Sequence, residues 1–170
     1  SDLLGTIGRP GDASGTFARP KGVAVDRNGH VFVSDAAFDN IQVFDLAGRL
    51  LMHFGSAGAG PGQFNLPAGL FCDPNGRLFA ADSYNHRVQV FSSLGMPLQQ
   101  WSIPGWTDDN PEEKPMLAAA GDLIFVLDSA RQRVLAFDGA GHYLWALSRR
   151  AGADLAFPGG VAVADGVLYV

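Results

Sequence analysis

Several things are scarce in this sequence, and each scarcity removes a class of function. Its 170 residues hold one cysteine, Cys72, so neither a disulfide framework nor a thiolate metal site can form within it. Cys72 takes the place that Val25 holds one repeat earlier, on an apolar strand, where a lone thiol reads as buried and inert. Basic residues are few: 12 Lys and Arg stand against 17 Asp and Glu, giving a net charge of −5, and neither sign gathers into a block. Between residues 1 and 100 there are seven basic and eight acidic side chains. The basic stripe of a nucleic-acid surface is therefore missing, and no nucleic-acid partner is expected. No apolar run approaches the roughly 18 residues of a membrane helix, so no membrane span is expected. No signal-peptide pattern is seen, but the chain opens at Ser1 without an initiator Met, which leaves room for an export signal upstream. Sustained 3.6-residue periodicity is also lacking, which argues against helices.

What the sequence does have is self-similarity. Shifted by 47 positions, Phe64 falls on Phe17, Pro67 on Pro20, Gly69 on Gly22, Asp73 on Asp26, Asn75-Gly76 on Asn28-Gly29, Asp82 on Asp35, Gln89 on Gln42 and Gly95 on Gly48. The 22 glycines and 10 prolines recur at fixed places in this repeat and so read as turns, not as a linker. A period of this size means supersecondary units that bury their faces by stacking on one another.

Within a unit, short apolar runs alternate with turn signals every eight to twelve residues, the pattern of hairpins. In the first full unit the strands read as 22–25, 31–33, 41–44 and 50–54, and the first three are apolar at nearly every position. A sheet with one wet face would alternate, so both faces must be covered. Four antiparallel strands flanked on both sides by their like describe a blade of a β-propeller, an all-β fold. The expected blades are 17–55, 64–101 and a weaker 115–147, with 157–170 starting another and 1–8 forming the last strand of a preceding one. Three blades and two partial ones do not close a ring. An open end would bare several hundred Å² of apolar face, on the order of 10 kcal/mol at about 25 cal/mol per Å². A longer chain or a second copy is therefore expected to complete the wheel.

The pattern of Phe17, Pro20, Gly22-Val23-Ala24-Val25-Asp26, Asn28-Gly29, Val31-Phe32-Val33-Ser34-Asp35 and Ile41-Gln42-Val43-Phe44, repeated from Phe64 to Phe91, resembles the NHL repeat. Asn85-His86 and Leu94 lie near the positions that name that family, and the Gly58, Gly60, Gly62-Gln63-Phe64 link is also typical of it. The resemblance implies a propeller, most often six-bladed, of which about half is present here. The third unit departs from the pattern by losing the Gly after its Pro115 and the Asp after its first strand.

In such a blade the turns between second and third strands share an upper face with the links between blades. That face is expected to collect Phe38, Asp39, Asn40, Tyr84, Asn85, His86, Arg87, Trp106, Arg131 and Arg133 as candidate binding residues, since loops on a rigid scaffold display contacts. Intra-blade packing is the alternative for Phe38 and Tyr84, and a cover over the third blade is the alternative for Trp106. Asp82 with Arg87, and Asp128 with Arg133, bracket these turns at a spacing of five and are expected to pair and hold them. Some relatives implied by the resemblance are zinc-dependent amidating lyases, and a catalytic zinc needs three converging ligands. His30, His53 and His142 fall away from the upper face and only His86 reaches it, so no metal site, cofactor or catalytic residue is assigned. Asp108, Asp109, Glu112 and Glu113 in the insert after Trp106 read as a solvated loop, with a calcium loop as the lesser alternative. Other relatives bind RNA on a basic upper face, as tripartite-motif proteins do, and that field is lacking here.

The reading that results is a non-catalytic scaffold or interaction module, bacterial and extracytoplasmic, that binds a protein or peptide partner within a larger assembly. The alternatives are a metal-dependent lyase or hydrolase with its ligands in blades outside this sequence and, below that, RNA binding.

Overall fold

One carboxylate builds each of four tight turns. Asp26 accepts from the Asn28 and His30 N–H groups at 2.9 Å each, and the Gly29 N–H closes on the Asp26 carbonyl at 3.2 Å. Gly29 sits at φ 81°, where a residue without a Cβ is unstrained. The second Asp26 oxygen meets the His30 ring nitrogen at 2.8 Å. The same device recurs at Asp45 with Arg49, Asp73 with Arg77 and Asp138 with His142. At the corresponding turn of the second unit Ser92 makes a weaker version, its hydroxyl 3.3 and 3.2 Å from the Leu94 and Met96 N–H groups.

In a computed structural model the described residues are 5–106, 115–150, 153–155 and 158–170. Their strands form three four-stranded antiparallel sheets, each in simple up-and-down order. The first holds β1 (Pro20–Val25), β2 (Val31–Asp35), β3 (Asn40–Phe44) and β4 (Leu50–Phe54). The second holds β5 (Pro67–Cys72), β6 (Leu78–Asp82), β7 (Arg87–Phe91) and β8 (Pro97–Ser102), with a single 3-10 turn at Ser83–Asn85. The third holds β9 (Met116–Ala120), β10 (Leu123–Asp128), β11 (Arg133–Phe137) and β12 (Tyr143–Leu147). Two short ribbons follow, β13 (Arg149–Arg150) with β14 (Ala153–Asp154), and β15 (Ala162–Ala164) with β16 (Val167–Tyr169).

Alternation along single strands shows how the sheets are stacked. On β6, Leu78 and Ala80 join a cluster with Phe32, Ile41 and Val43 of the first sheet, whereas Phe79 and Ala81 join one with Ile124, Val126 and Leu135 of the third. On β10, Ile124 and Val126 face the second sheet while Phe125 and Leu127 face Val161, Val163 and Leu168. Period-two alternation therefore sends successive side chains to different neighbouring sheets, which is why these strands are apolar throughout. The arrangement is that of propeller blades.

The first strands of neighbouring blades lie nearest one another, and glycine makes that possible. A Cβ at Gly22 would run into the Ala68 carbonyl oxygen, and one at Gly69 into that of Pro115. Strand β1 accordingly starts at Pro20, ahead of the expected Gly22, with an irregularity between Pro20 and Val23 that turns this backbone toward the next blade; β5 repeats it between Pro67 and Leu70. The Gly22 N–H donates to the Ser34 hydroxyl at 2.8 Å, which donates to the Ala68 carbonyl at 2.7 Å; the Gly69 N–H reaches the Pro115 carbonyl directly at 3.0 Å.

The expected strand over 1–8 is not seen as one. Residues 1–4 lie outside the described residues, and 5–8 have no strand partner among them, because a ladder needs a neighbouring strand. Ile7 nevertheless packs with Phe17 and Leu50 over Val31, Val33 and Phe44. Phe157, expected to open the fourth unit, also lies outside the described residues.

Candidate interaction face

Strands β2, β6 and β10 each end in an aspartate, and all three carboxylates are buried: Asp35, Asp82 and Asp128. Each takes hydrogen bonds that fix the turn beyond it. Asp35 accepts from the Ala18, Arg19 and Ala37 N–H groups at 2.8, 3.0 and 2.9 Å. Asp82 accepts from the Asn65 N–H at 2.8 Å, Asn85 at 2.9 Å and the Arg87 Nε at 2.8 Å. Burial lifts the Asp82 carboxyl above its ordinary value, against the opposing pull of those donors. Asp128 accepts from the Arg133 Nε at 2.7 Å and, more distantly, from Arg131 at 3.5 Å.

The turn after each second strand grips the link to a neighbouring blade, so both belong to one face. Residues Asp39, His86 and Gln132 hold the same place in the three turns, all with φ near 50° (48°, 52° and 51°). The Asp39 carboxylate accepts the Leu66 N–H at 2.8 Å, and the His86 carbonyl accepts the Ile103 N–H at 2.9 Å. The Asn85 side chain donates to the Gly58 carbonyl at 2.8 Å. Gln42 and Gln89, which point polar groups into otherwise apolar strands, clamp the links that precede their blades. Gln42 joins the Gly15 N–H and Thr16 carbonyl; Gln89 joins the Gly62 N–H and Gln63 carbonyl. The sequence reading registered their recurrence at the 47-residue offset but gave neither glutamine a role.

The predicted binding residues divide into two groups. Arg87 is turned inward and 7% exposed. Besides Asp82 it reaches the Ala59, Gly60 and Gln63 carbonyls at 2.7, 3.0 and 2.8 Å and the Gln100 side chain at 2.9 Å. All five guanidinium N–H groups are thereby used within the fold, so Arg87 is a structural clamp and presents no donor to a partner. Trp106 is likewise buried, packed with Val88, Leu117 and Leu135 and edge-on to the His86 ring at 6.4 Å. It covers the third blade and is not an exposed anchor. Arg133 grips Asp128 and the Pro104 carbonyl, at 2.6 Å, but remains partly open. Phe38, Asp39, Asn40, Tyr84, Asn85, His86 and Arg131 are half-buried around the same face.

Two cations that sequence reasoning passed over, Arg19 and Lys21, stand beside Tyr84. With Ala36, Leu66, Ala68 and Ser83 they line a narrow crevice between the first two blades whose free space, about 10 Å³, holds one water-sized group. The Ser83 hydroxyl oxygen there is buried and has no hydrogen-bond partner among the described residues.

Among the histidines, His30 and His142 are bound to Asp26 and Asp138 in hairpins, and His53 lies on β4 opposite Gln42. No group of three His, Cys, Asp or Glu side chains converges among the described residues. Asp108, Asp109, Glu112 and Glu113 lie outside them. Cys72 is half-buried, and burial, with Asp26 and Asp73 nearby, pushes its thiol up to about 12, so it stays protonated and unreactive. No helix among the described residues is long and apolar enough to cross a membrane.

Residues 17–44 and 64–91 match the NHL repeat. The chain carries two NHL repeats in a propeller fold. No curated protein sequence matches it significantly. Among solved structures it is similar to virginiamycin B lyase from Staphylococcus aureus, at 12% identity over 84% of this chain and 44% of that one, with a TM-score of 0.60. It is also similar to the glutaminyl cyclase of Myxococcus xanthus, at 15% identity over 88% and 60%, TM-score 0.65. Hydrazine synthase of Kuenenia stuttgartiensis matches at 11% identity over 86% and 39%, TM-score 0.59. At these identities the likeness is one of fold. The chain spans about half the length of the virginiamycin B lyase it matches.

Proposed function

We propose that this NHL propeller is a non-catalytic interaction module whose upper-face loops engage a protein or peptide partner, as a scaffold in a larger bacterial, extracytoplasmic assembly. One observation carries the reading: the polar groups beneath that face are committed to holding loops in shape. Arg87 uses every donor within the fold, three of them on the backbone of a link, and Asp35 and Asp82 are closed in by N–H donors. A pre-formed loop surface lowers the ordering cost of binding. The test is a photo-crosslinking residue placed at Phe38 or Tyr84 on the upper face, or at Leu46 or Leu94 on the lower, in the protein expressed in a bacterial periplasm. Capture of one defined partner from the upper positions alone is expected. Capture only from the lower positions would overturn the assignment.

A second reading, a metal-dependent lyase or hydrolase, draws on the shared fold of virginiamycin B lyase and glutaminyl cyclase. Metal analysis of the longest natural form of the chain decides against the first reading if it finds stoichiometric zinc or calcium that chelation removes together with an activity. RNA binding would instead appear as an affinity falling steeply with salt.

A further inference from the structure

We propose that the crevice between the first two blades is a carboxylate-binding site, which takes an acidic side chain or the terminal carboxylate of a peptide. The proposal rests on the interaction reading above and names the chemistry by which a partner would be held.

The crevice presents donors and cations and no acid. Arg19 and Lys21 line it, and neither makes an ion pair among the described residues. The Arg19 side chain is anchored by one bond, from its Nη2 to the Ala36 carbonyl at 3.1 Å, which orients the guanidinium and leaves further N–H groups for a ligand. Asp35, an acid of the same blade, is fully buried and its oxygens are taken up by the Ala18, Arg19 and Ala37 N–H groups. The lining itself therefore carries two positive charges and no negative one, in a chain whose net charge is −5, and the Asp39 carboxylate approaches it at the Leu66 N–H, 2.8 Å away.

Ser83 supplies the independent observation. The residue lines the crevice, and its hydroxyl oxygen is buried beneath that lining and lacks a partner among the described residues. Buried polar groups are nearly always satisfied, and one left open beside two cations suits an incoming oxygen. Space for a single water-sized group admits one carboxylate oxygen, with the second at the mouth beside Arg19. Leu66 and Ala68 offer apolar contact to the carbon that bears the carboxylate. A nucleic acid would need a run of cations along its backbone, and this site offers two.

The test is an amide-resolved NMR titration of the full chain with four probes: acetyl-trialanine with a free carboxylate, the same peptide amidated, acetyl-aspartyl amide, and inorganic phosphate. One or both carboxylate probes should shift the Ala36, Ala68, Ser83 and Tyr84 amides, and the tighter of the two assigns a chain terminus or a side chain as the source. Arg19→Gln and Lys21→Gln, both away from the buried clamps, should each weaken that binding about tenfold, and Ser83→Ala about threefold. The spectrum of each variant reports that it is folded, so weakened binding cannot be mistaken for unfolding. No shift with either carboxylate, equal shifts with the amidated peptide, tighter binding of phosphate than of carboxylate, or unchanged affinity in the Arg19→Gln, Lys21→Gln double variant would overturn the site. If carboxylate binding fails while crosslinks from Phe38 and Tyr84 persist, the site falls and the interaction face stands.

Discussion

The second and third blades share a topology but hold their links differently. In the second, Arg87 and Gln89 project from β7 and bind the backbone of residues 59–63. In the third, Arg133 keeps the place of Arg87, but Leu135 stands where Gln89 would, and Trp106 packs against it. One blade fastens its link through a buried polar network and the other through an apolar plug. The same difference marks the hairpins between first and second strands: Asp73 organises that of the second blade with Arg77, whereas Gly121-Asp122 is a two-residue turn without this clamp among the described residues. Polar clamps and hydrophobic burial can thus substitute at one position of a repeat, provided each polar atom is fully satisfied.

The largest effect should come from cutting the second blade's clamp. Arg87→Ala removes five hydrogen bonds at once, to the Asp82 carboxylate, the Ala59, Gly60 and Gln63 carbonyls and the Gln100 side chain, and should cost about 3–5 kcal/mol in urea unfolding. Arg133→Ala, at a more open site with fewer bonds, should cost about 1–3 kcal/mol. Equal losses would break the contrast. Next, Gly69→Ala forces a Cβ into the Pro115 carbonyl and should cost about 3 kcal/mol, while Gly76→Ala, strained in φ but facing open space, should cost about 1 kcal/mol. Transplanting the third blade's residue, Gln89→Leu, should cost about 1–3 kcal/mol because the Gly62 N–H loses its partner and the Gln63 carbonyl keeps only Arg87. A neutral result would show that the apolar plug needs no Trp106.

The smallest effect is in pH dependence. At Asp26 burial works to raise the carboxyl, but the His30 and Asn28 N–H groups and the His30 ring outweigh it and hold it below its ordinary value. At Asp138 the His142 N–H and ring do the same. These folded values lie under the unfolded ones, so their stabilisation is present above the ordinary carboxylate range and is lost as pH falls through the lowered values. Asp82 is raised, so it acts with opposite sign: the folded state holds its proton longer, and stability declines as pH rises from the ordinary value through the raised one. Asp26→Asn should flatten the acid limb of a stability profile measured by urea midpoint, and Asp82→Asn should remove the slope just above it. A profile unchanged by either substitution would refute these assignments.

Much of the fold was legible because the repeat states it twice. Gly at 22 and 69, Asp at 26 and 73, and Asp at 35 and 82 each mark a point where backbone must approach closely or a turn must close, and the structure finds those needs at those residues. The Asp82–Arg87 and Asp128–Arg133 pairs were equally readable from their spacing, and they meet at 2.8 and 2.7 Å. The face was harder to read. Arg87 and Asn85 look like displayed residues in a loop, yet their side chains bind a link 28 and 27 residues away, and Trp106, itself in a link, packs with Val88, Leu117 and Leu135. Spacing of five along a chain fixes a local pair; it carries no information about a carbonyl on another blade.

By itself the sequence determined the unit: four short strands, the Asp and Gly of the hairpins, and apolar residues on both faces, which leave stacking as the way to exclude water. Tertiary structure decided which side chains serve that stacking and which remain at the surface. Burial and hydrogen-bond satisfaction depend on atoms that come together only when blades pack. Arg19 and Lys21 beside Ser83 are therefore visible as a group only in three dimensions.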